Sequence, residues 1–148
     1  MGAKGTSVHG IDVSRVEAAV RRAELGTSGE IRVCVARFYS WGDVRRAAER
    51  AFRTLRMDRT QHRNGVLIYV APRMRRFVVL GDAGIDRLVE PTFWSDLCAR
   101  LGDDFRAGER TWGLERAIAD VGDRLRQHFP AGPGPATNEL PDQVARDR

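Results

Sequence analysis

Lysine is almost missing from this sequence, and its scarcity weakens the first inference that the composition invites. The 148 residues carry a formal net charge of +5 and a pI near 10.2, yet Lys4 is the one lysine among 25 lysine and arginine residues. A basic chain often binds nucleic acid or an anionic membrane surface. Here the preference for arginine over lysine is typical of a GC-rich coding sequence. The charge by itself therefore does not indicate a nucleic-acid partner.

Long apolar runs and cysteine clusters are missing as well. No apolar stretch approaches the roughly 18 residues that a membrane-spanning helix needs, and residues 1–10 contain neither the apolar segment nor the cleavage site of a signal peptide. The two cysteines, Cys34 and Cys98, lie far apart among apolar neighbours, which is typical of reduced, buried thiols. We therefore expect a cytoplasmic, monomeric protein without a membrane span, a disulfide or an organic cofactor.

The sequence does contain an alternation of helical and strand patterns. The predicted elements, in chain order, are helices that begin at Asp12 or Ser14 and at Asp43, strands over 30–38, 66–70 and 77–80, and helices that begin near Thr92 and after Gly108. A helix between the first two strands implies a right-handed parallel connection, whereas the short turn before the third implies an antiparallel return. Helical spacing also predicts that Trp94 and Trp112 lie in the core.

These elements predict an α/β fold, specifically an α/β/α sandwich in which a mixed central sheet of at least three strands is covered by helices on both faces. We expect residues 1–10 to be a flexible N-terminus, 11–129 to form one domain, and 130–148 to be a Pro/Gly-rich leash and C-terminal tail. Because the Pro/Gly run offers little area to bury, deletion of the chain after Pro130 is expected to leave the melting temperature nearly unchanged.

Three segments in a fixed order resemble the TPM domain family. They are Thr27-Ser28-Gly29-Glu30-Ile31, Arg63-Asn64-Gly65-Val66-Leu67-Ile68-Tyr69-Val70 and Gly81-Asp82-Ala83-Gly84-Ile85. The third segment departs from the usual family form, in which an aromatic residue lies between glycines, and is similar to the soluble bacterial branch. The resemblance implies an α/β/α sandwich, a phosphatase activity in plant thylakoid members and calcium binding in some members. The bacterial branch generally has no assigned activity.

The predicted strand directions bring several polar residues to one edge of the sheet. The starts of two parallel strands and the end of an antiparallel third strand share an edge, which collects Glu30, Asn64 and Asp82, with Asp86 one helical turn further on. Oxygen ligands of this kind suit calcium or magnesium. We therefore expect these four residues to form a metal site, through which a cation stabilises the protein. The alternative is that Asp82 caps a turn or pairs with Arg63.

The same edge offers candidates for a metal-assisted phosphatase. Asp82 or Asp86 could hold the metal, Arg63 could hold a phosphate group, and His62 could transfer a proton. A catalytic triad of Ser28, His62 and Asp82 can also be assembled, but any chain of this size allows such a choice. Cys34 lies inside a predicted strand, where a packing role is more common than a nucleophilic one.

The opposite edge of the predicted sheet carries Trp41 and three arginines, Arg73, Arg75 and Arg76. In open α/β sheets this is the usual ligand edge, and these side chains could stack on a base or hold phosphate. The alternative, which we favour because no nucleic-acid motif accompanies them, is that Trp41 packs on the second helix and the arginines are solvated.

Three hypotheses for the function follow from these observations. The first is a divalent-cation-binding domain with possible weak phosphatase activity. The second is a non-catalytic module that binds another protein, and the third is an arginine-dependent binder of nucleic acid or an anionic surface.

Overall fold

A four-stranded mixed sheet forms the centre of the molecule, whose computed structural model describes residues 6–37, 42–132 and 139–147. The elements, in chain order, are β1 (Ser7–Val8), β2 (Ile11–Asp12), α1 (Val13–Glu24), β3 (Glu30–Ala36), α2 (Val44–Thr54), β4 (Gly65–Ala71), β5 (Arg76–Gly81), α3 (Ala83–Asp86), α4 (Pro91–Arg106), α5 (Arg110–His128) and β6 (Ala145–Asp147). The central sheet has the strand order β5-β4-β3-β6, and β1 pairs with β2 in a separate hairpin.

Aspartates begin the first two long helices, as the sequence predicts. The Asp12 side chain accepts a hydrogen bond from the backbone N–H of Arg15 at 3.1 Å, and Asp43 accepts one from Arg45 at 2.9 Å. Each carboxylate thus satisfies a backbone donor that has no partner inside its helix. After α1, Gly26 adopts a φ of +80°, which glycine tolerates and which turns the chain toward β3.

Strand pairing has the directions that the sequence predicts. β3 runs parallel to β4, with Glu30 opposite Gly65, and β4 runs antiparallel to β5. We call the edge at Glu30, Gly65 and Gly81 the amino edge, because β3 and β4 begin there. The carboxyl edge lies at the opposite end of the strands, where Ala71 pairs with Arg76 in the turn between β4 and β5.

Helices cover both faces of the sheet, which confirms the predicted α/β/α sandwich. One face, including Val33 and Ile68, packs against α1, α4 and α5 in a single apolar cluster. The other face, including Leu67 and Tyr69, packs against α2. Strand residues that alternate along the chain therefore serve two separate cores. None of the helices among the described residues is both long and apolar enough to cross a bilayer.

The C-terminal segment supplies the fourth strand. β6 runs parallel to β3, with Cys34 opposite Ala145, and the hydroxyl of Tyr69 donates a 2.6 Å hydrogen bond to the carboxylate of Asp147. Ala145 is buried. Residues 139–147 thus pack on the domain, and part of this segment completes the sheet. This packing argues against the expectation that deletion after Pro130 leaves the melting temperature unchanged, and the melting temperature of a truncated chain tests it.

The N-terminal residues also contribute some order, since Ser7 pairs with Asp12 in the β1-β2 hairpin. The domain boundaries at residues 10 and 130 stay a prediction. The predicted end of the first strand at Phe38, and Trp41 with its proposed role, lie outside the described residues.

Candidate functional site

The amino edge brings together two of the predicted site residues. Glu30 is the first residue of β3, and Asn64 lies just before β4, so the parallel register places them side by side. The backbone N–H of Glu30 donates to the Asn64 carbonyl at 3.4 Å. Both side chains are buried, with exposed fractions of 2% for Glu30 and 0% for Asn64. The strand directions alone predicted this pairing.

The loop before β4 fixes Asn64 through its neighbours. The Thr60 hydroxyl accepts from the Asn64 backbone N–H at 3.2 Å, and the Ser28 hydroxyl accepts from the Asn64 side-chain amide at 3.3 Å. Gly84 of α3 packs so closely on this loop that a Cβ there would lie 2.1 Å from the His62 carbonyl oxygen. The backbone on this side of the edge therefore has little freedom to move.

Asp82 follows β5 at the same edge, where its carboxylate is already engaged. Arg63 donates to both carboxylate oxygens, from Nε at 2.6 Å and from Nη2 at 2.9 Å. One of these oxygens also accepts from the Ala83 backbone N–H at 2.8 Å, which caps α3. Asp82 thus acts in both ways that the alternative interpretation of the sequence gave: it caps a turn and it pairs with Arg63.

The remaining candidates at this edge do not converge on Glu30. Asp86 is exposed on α3, and the His62 ring lies against Phe129 with 6.2 Å between ring centroids. No hydrogen bond among the described residues joins His62 to Ser28 or Asp82, so these three residues do not form a catalytic triad in the structure. Cys34 is buried, and burial raises the pKa of its thiol to about 12, which disfavours the reactive thiolate.

A cluster of three carboxylates lies on the other side of Glu30. One oxygen each from Glu24, Glu30 and Asp142 lies within 4.8 Å of the others. Glu24 is the last residue of α1, and its side chain accepts from the Ile31 backbone N–H at 2.7 Å. Glu30 accepts from the Glu139 backbone N–H at 2.6 Å. We call this group the acid cluster. Within the described part of the chain, no other three acidic, histidine or cysteine side chains converge in this way.

Burial and mutual repulsion disfavour the charged state of this cluster. Burial raises the pKa of Glu24 far above its usual range, and the hydrogen bond to the Asp142 carboxyl raises it further. Burial also raises the pKa of Glu30, although the backbone N–H of Glu139 and the Glu24 side chain oppose that change. Without a cation, the cluster therefore retains a proton at a pH where exposed glutamates are fully ionised.

Two buried oxygen atoms at this edge accept no hydrogen bond from any of the described residues. They are Oε2 of Glu30 and Oδ1 of Asn64. A buried acceptor without a partner costs about 1–3 kcal/mol, so native proteins rarely leave one unsatisfied. Both atoms belong to residues that the sequence placed in a metal site, and both are available to a cation or to water.

The sequence did not identify Glu24 or Asp142 as site residues. Glu24 is the last residue of α1, and the pattern of that helix is accounted for by one buried face and one solvated face. Asp142 lies in a segment that was expected to add little to stability. One local signal was present: Glu24 lies six residues before Glu30, across a turn that contains Gly26 and Gly29. That turn reverses the chain, so the end of α1 meets the start of β3.

Comparisons with known proteins agree with this architecture. A family model described as the TPM domain matches residues 10–124. The NMR structure of the BA42 protein from the psychrophilic bacterium Bizionia argentinensis is 36% identical, with a TM-score of 0.82, over 90% of this chain and 91% of that chain. The N-terminal domain of the cg2496 protein from Corynebacterium glutamicum shares the fold at 11% identity and a TM-score of 0.60, over 85% of this chain and 78% of that one. No curated protein matches the sequence.

Proposed function

The chain belongs to the TPM domain family, and we propose that within this family it is a divalent-cation-binding domain whose ion is held by the acid cluster. The observation that carries this proposal is the approach of three carboxylate oxygens, from Glu24, Glu30 and Asp142, to within 4.8 Å of one another. Two of them are anchored by backbone N–H groups, so the cluster is fixed by the fold.

The spacing of the oxygens suits a calcium ion. Oxygens bound to one calcium lie about 2.3–2.6 Å from it and therefore at most about 5 Å apart. Magnesium holds its ligands at about 2.0–2.1 Å and demands near-octahedral geometry, so the more adaptable shell of calcium suits carboxylates that the fold anchors. Glu30 Oε2 accepts no hydrogen bond from the described residues and is therefore available to the ion, and water would complete the shell. The donor set contains only oxygen, as a hard cation prefers.

A cation would also remove the electrostatic cost of the cluster. Metal ligation needs deprotonated carboxylates, whereas burial favours the protonated forms of Glu24 and Glu30. The two demands are reconciled when a dication replaces the retained proton. Binding should therefore release protons and tighten as the pH rises.

Phosphatase activity gains less support from the geometry than cation binding does. Arg63, the candidate for holding phosphate, donates both arms of its guanidinium to Asp82. Asp82 in turn caps α3. A phosphate group would have to displace that ion pair, so we limit the proposal to cation binding.

The test is a thermal scan of the wild-type protein with and without calcium, at ionic strength matched with KCl. At a hundredfold excess over the dissociation constant, single-site linkage predicts a stabilisation of about 2.7 kcal/mol. Glu30→Gln should lose most of this shift, because it removes a ligand charge and retains the side-chain size. Glu17→Gln is the matched control, since it changes the same kind of residue on α1 outside the acid cluster.

Two results would overturn the proposal. One is a wild-type melting temperature that calcium and magnesium leave unchanged. The other is a calcium shift of equal size in Glu30→Gln and in Glu17→Gln, which would show that the ion acts elsewhere on the surface. Metal analysis of protein purified without a chelator provides an independent measure of the bound ion.

A further inference from the structure

A second concave site lies at the carboxyl edge, away from the acid cluster. It is a cleft of about 340 Å³ between the β4-β5 turn and the junction of α4 with α5. Its lining includes Arg75, Arg76, Arg106 and Arg110. Among the described residues, no aspartate, glutamate or histidine lines it. In open α/β sheets, ligands usually bind outside the carboxyl ends of the parallel strands, which is where this cleft lies.

The floor of the cleft is apolar and aromatic. Val70 and Phe77 are opposite each other on β4 and β5, so their side chains lie on the same face of the sheet. Phe105 of α4 meets Phe77 edge to face, with 5.5 Å between ring centroids. Pro72 also lines the cleft. A flat apolar group could pack on this floor while a polar group reaches the rim.

The arginines at the rim keep donors free for a ligand. Arg75 and Arg76 are exposed, and no ion pair within the described residues engages either of them. Arg106 pairs with Asp103, and Arg110 donates one N–H to the His9 carbonyl at 2.6 Å. A guanidinium has five N–H donors, so these two contacts leave most of them available.

Local backbone geometry holds the first two arginines in place. Residues Pro72–Met74 form a helical turn, and Arg75 follows it with a φ of +52°, donating its backbone N–H to Pro72 at 3.1 Å. Arg76 then begins β5 opposite Ala71. The turn thus fixes the backbone from which two adjacent arginines reach the mouth of the cleft, and like charges close together favour a bound anion.

We infer that this cleft binds a small organic anion, in which a flat apolar body packs on Phe77 and Phe105 while a phosphate or carboxylate group meets the arginines. Guanidinium groups bind both kinds of oxyanion through paired N–H donors. The cleft volume matches the lower end of the range for small-molecule sites, about 300–1,000 Å³. The inference concerns binding and includes no chemical step.

Titrations of isotope-labelled protein followed by NMR test this inference, with phenyl phosphate and benzoate as probes. Inorganic phosphate and phenol serve as the half-ligands. Both full probes should shift the amide signals of Phe77, Gly102 and Phe105, and each should bind more tightly than either half-ligand. The stronger of the two full probes identifies the preferred oxyanion.

Two variants address the two parts of the site. Arg75→Gln with Arg76→Gln should weaken binding about tenfold or more, because it removes charge-assisted hydrogen bonds to the oxyanion. Gly102→Leu keeps every arginine but fills the cleft, since a Cβ at this position meets only the flexible end of Arg106, at 3.5 Å. This variant should weaken the binding of phenyl phosphate and leave the binding of inorganic phosphate nearly unchanged.

The matched control is Arg21→Gln with Arg22→Gln, which removes two adjacent exposed arginines at the end of α1. Equal loss of affinity in this control would show general charge attraction and overturn the inference. So would the absence of shifts at millimolar probe, or inorganic phosphate that binds as well as phenyl phosphate. If a single-stranded RNA oligomer binds far more tightly than either probe and Gly102→Leu does not affect it, the surface is a nucleic-acid interface and the small-ligand site is rejected.

Discussion

At the amino edge of the sheet, one oxygen from each of three carboxylates lies within 4.8 Å of the others, whereas at the carboxyl edge the described residues that line one cleft include arginines and no carboxylate. The two edges also differ in packing. At the amino edge the loop before β4 is closely packed, and a Cβ at Gly84 would collide with its backbone. On the arginine side, a Cβ at Gly102 meets only a flexible side chain. A net charge of +5 thus conceals two groups of ionisable residues of opposite kind.

This difference explains why the net charge of the chain says little about the charge at either edge of the sheet. Charges that act on a ligand are those that the fold concentrates, and the average over the surface hides them. The strand directions keep the acidic and the basic residues apart. The carboxylates lie where β3 and β4 begin, and the arginines lie near the β4-β5 turn, where β4 ends.

The largest expected effect on the free energy of unfolding comes from replacing a glycine by alanine at each edge. Gly84→Ala should destabilise the protein by about 3 kcal/mol, because the new Cβ forces the His62 and Arg63 carbonyls away. Gly102→Ala should be neutral or stabilising by up to about 1 kcal/mol, because it lies inside α4 without a clash. Urea unfolding of both variants measures the contrast. Equal changes in unfolding free energy at the two positions would contradict the difference in packing between the edges.

Loss of the C-terminal segment is expected to have the next largest effect. Deletion of residues 139–148 removes the hydrogen bond that Glu139 donates to Glu30, the one that Tyr69 donates to Asp147, and the β6 pairing. At about 0.5–1.5 kcal/mol for each hydrogen bond, the cost should be about 2 kcal/mol or more. The calcium shift should disappear as well, because Asp142 is lost. A melting temperature equal to that of the full chain would show that the segment does not hold the sheet.

The pH dependence of stability should distinguish the acid cluster from the rest of the surface. Because the folded-state pKa values of Glu24 and Glu30 lie above their unfolded values, the folded protein binds protons more tightly. The resulting stabilisation is complete below the unfolded pKa, near 4–5, and is lost as the pH rises through the folded-state values.

Thermal scans across that pH range, with and without calcium, measure this effect. The metal-free protein should become less stable as the pH rises, and the calcium shift should grow. Glu30→Gln should flatten both trends, and Glu17→Gln should preserve them. A calcium shift that is independent of pH would contradict ligation by these carboxylates.

The smallest effect is expected for Asp82→Asn. Asparagine caps a helix about as well as aspartate, so the variant loses mainly the ion pair with Arg63, whose side chain is 53% exposed. Such a pair contributes up to about 1 kcal/mol. The variant should be slightly destabilised, with its calcium shift intact. Loss of the shift in Asp82→Asn would instead support the metal site that the sequence predicted at Asp82.

The sequence was sufficient to predict the order and directions of β3, β4 and β5, because local periodicity and turn length determine them. Those directions also brought Glu30 and Asn64 together. Asp142 reaches Glu30 only through the docking of the C-terminal segment, which local patterns do not encode. For Glu24 the one local signal was its short, glycine-containing connection to Glu30. Trp112 was wrongly predicted to lie in the core: 47% of it is exposed, and the Arg116 guanidinium lies over its ring.

The hydrogen bond from Glu139 to Glu30 joins residues 109 positions apart, and this separation matters during synthesis. At translation rates of about 5–20 residues per second, roughly 5–20 s pass between the emergence of Glu30 and that of its partner. During that interval the growing chain lacks both the strand that covers β3 and the third carboxylate of the cluster. The nascent domain therefore presents an uncovered strand edge to chaperones and to neighbouring chains until residue 147 has left the ribosome.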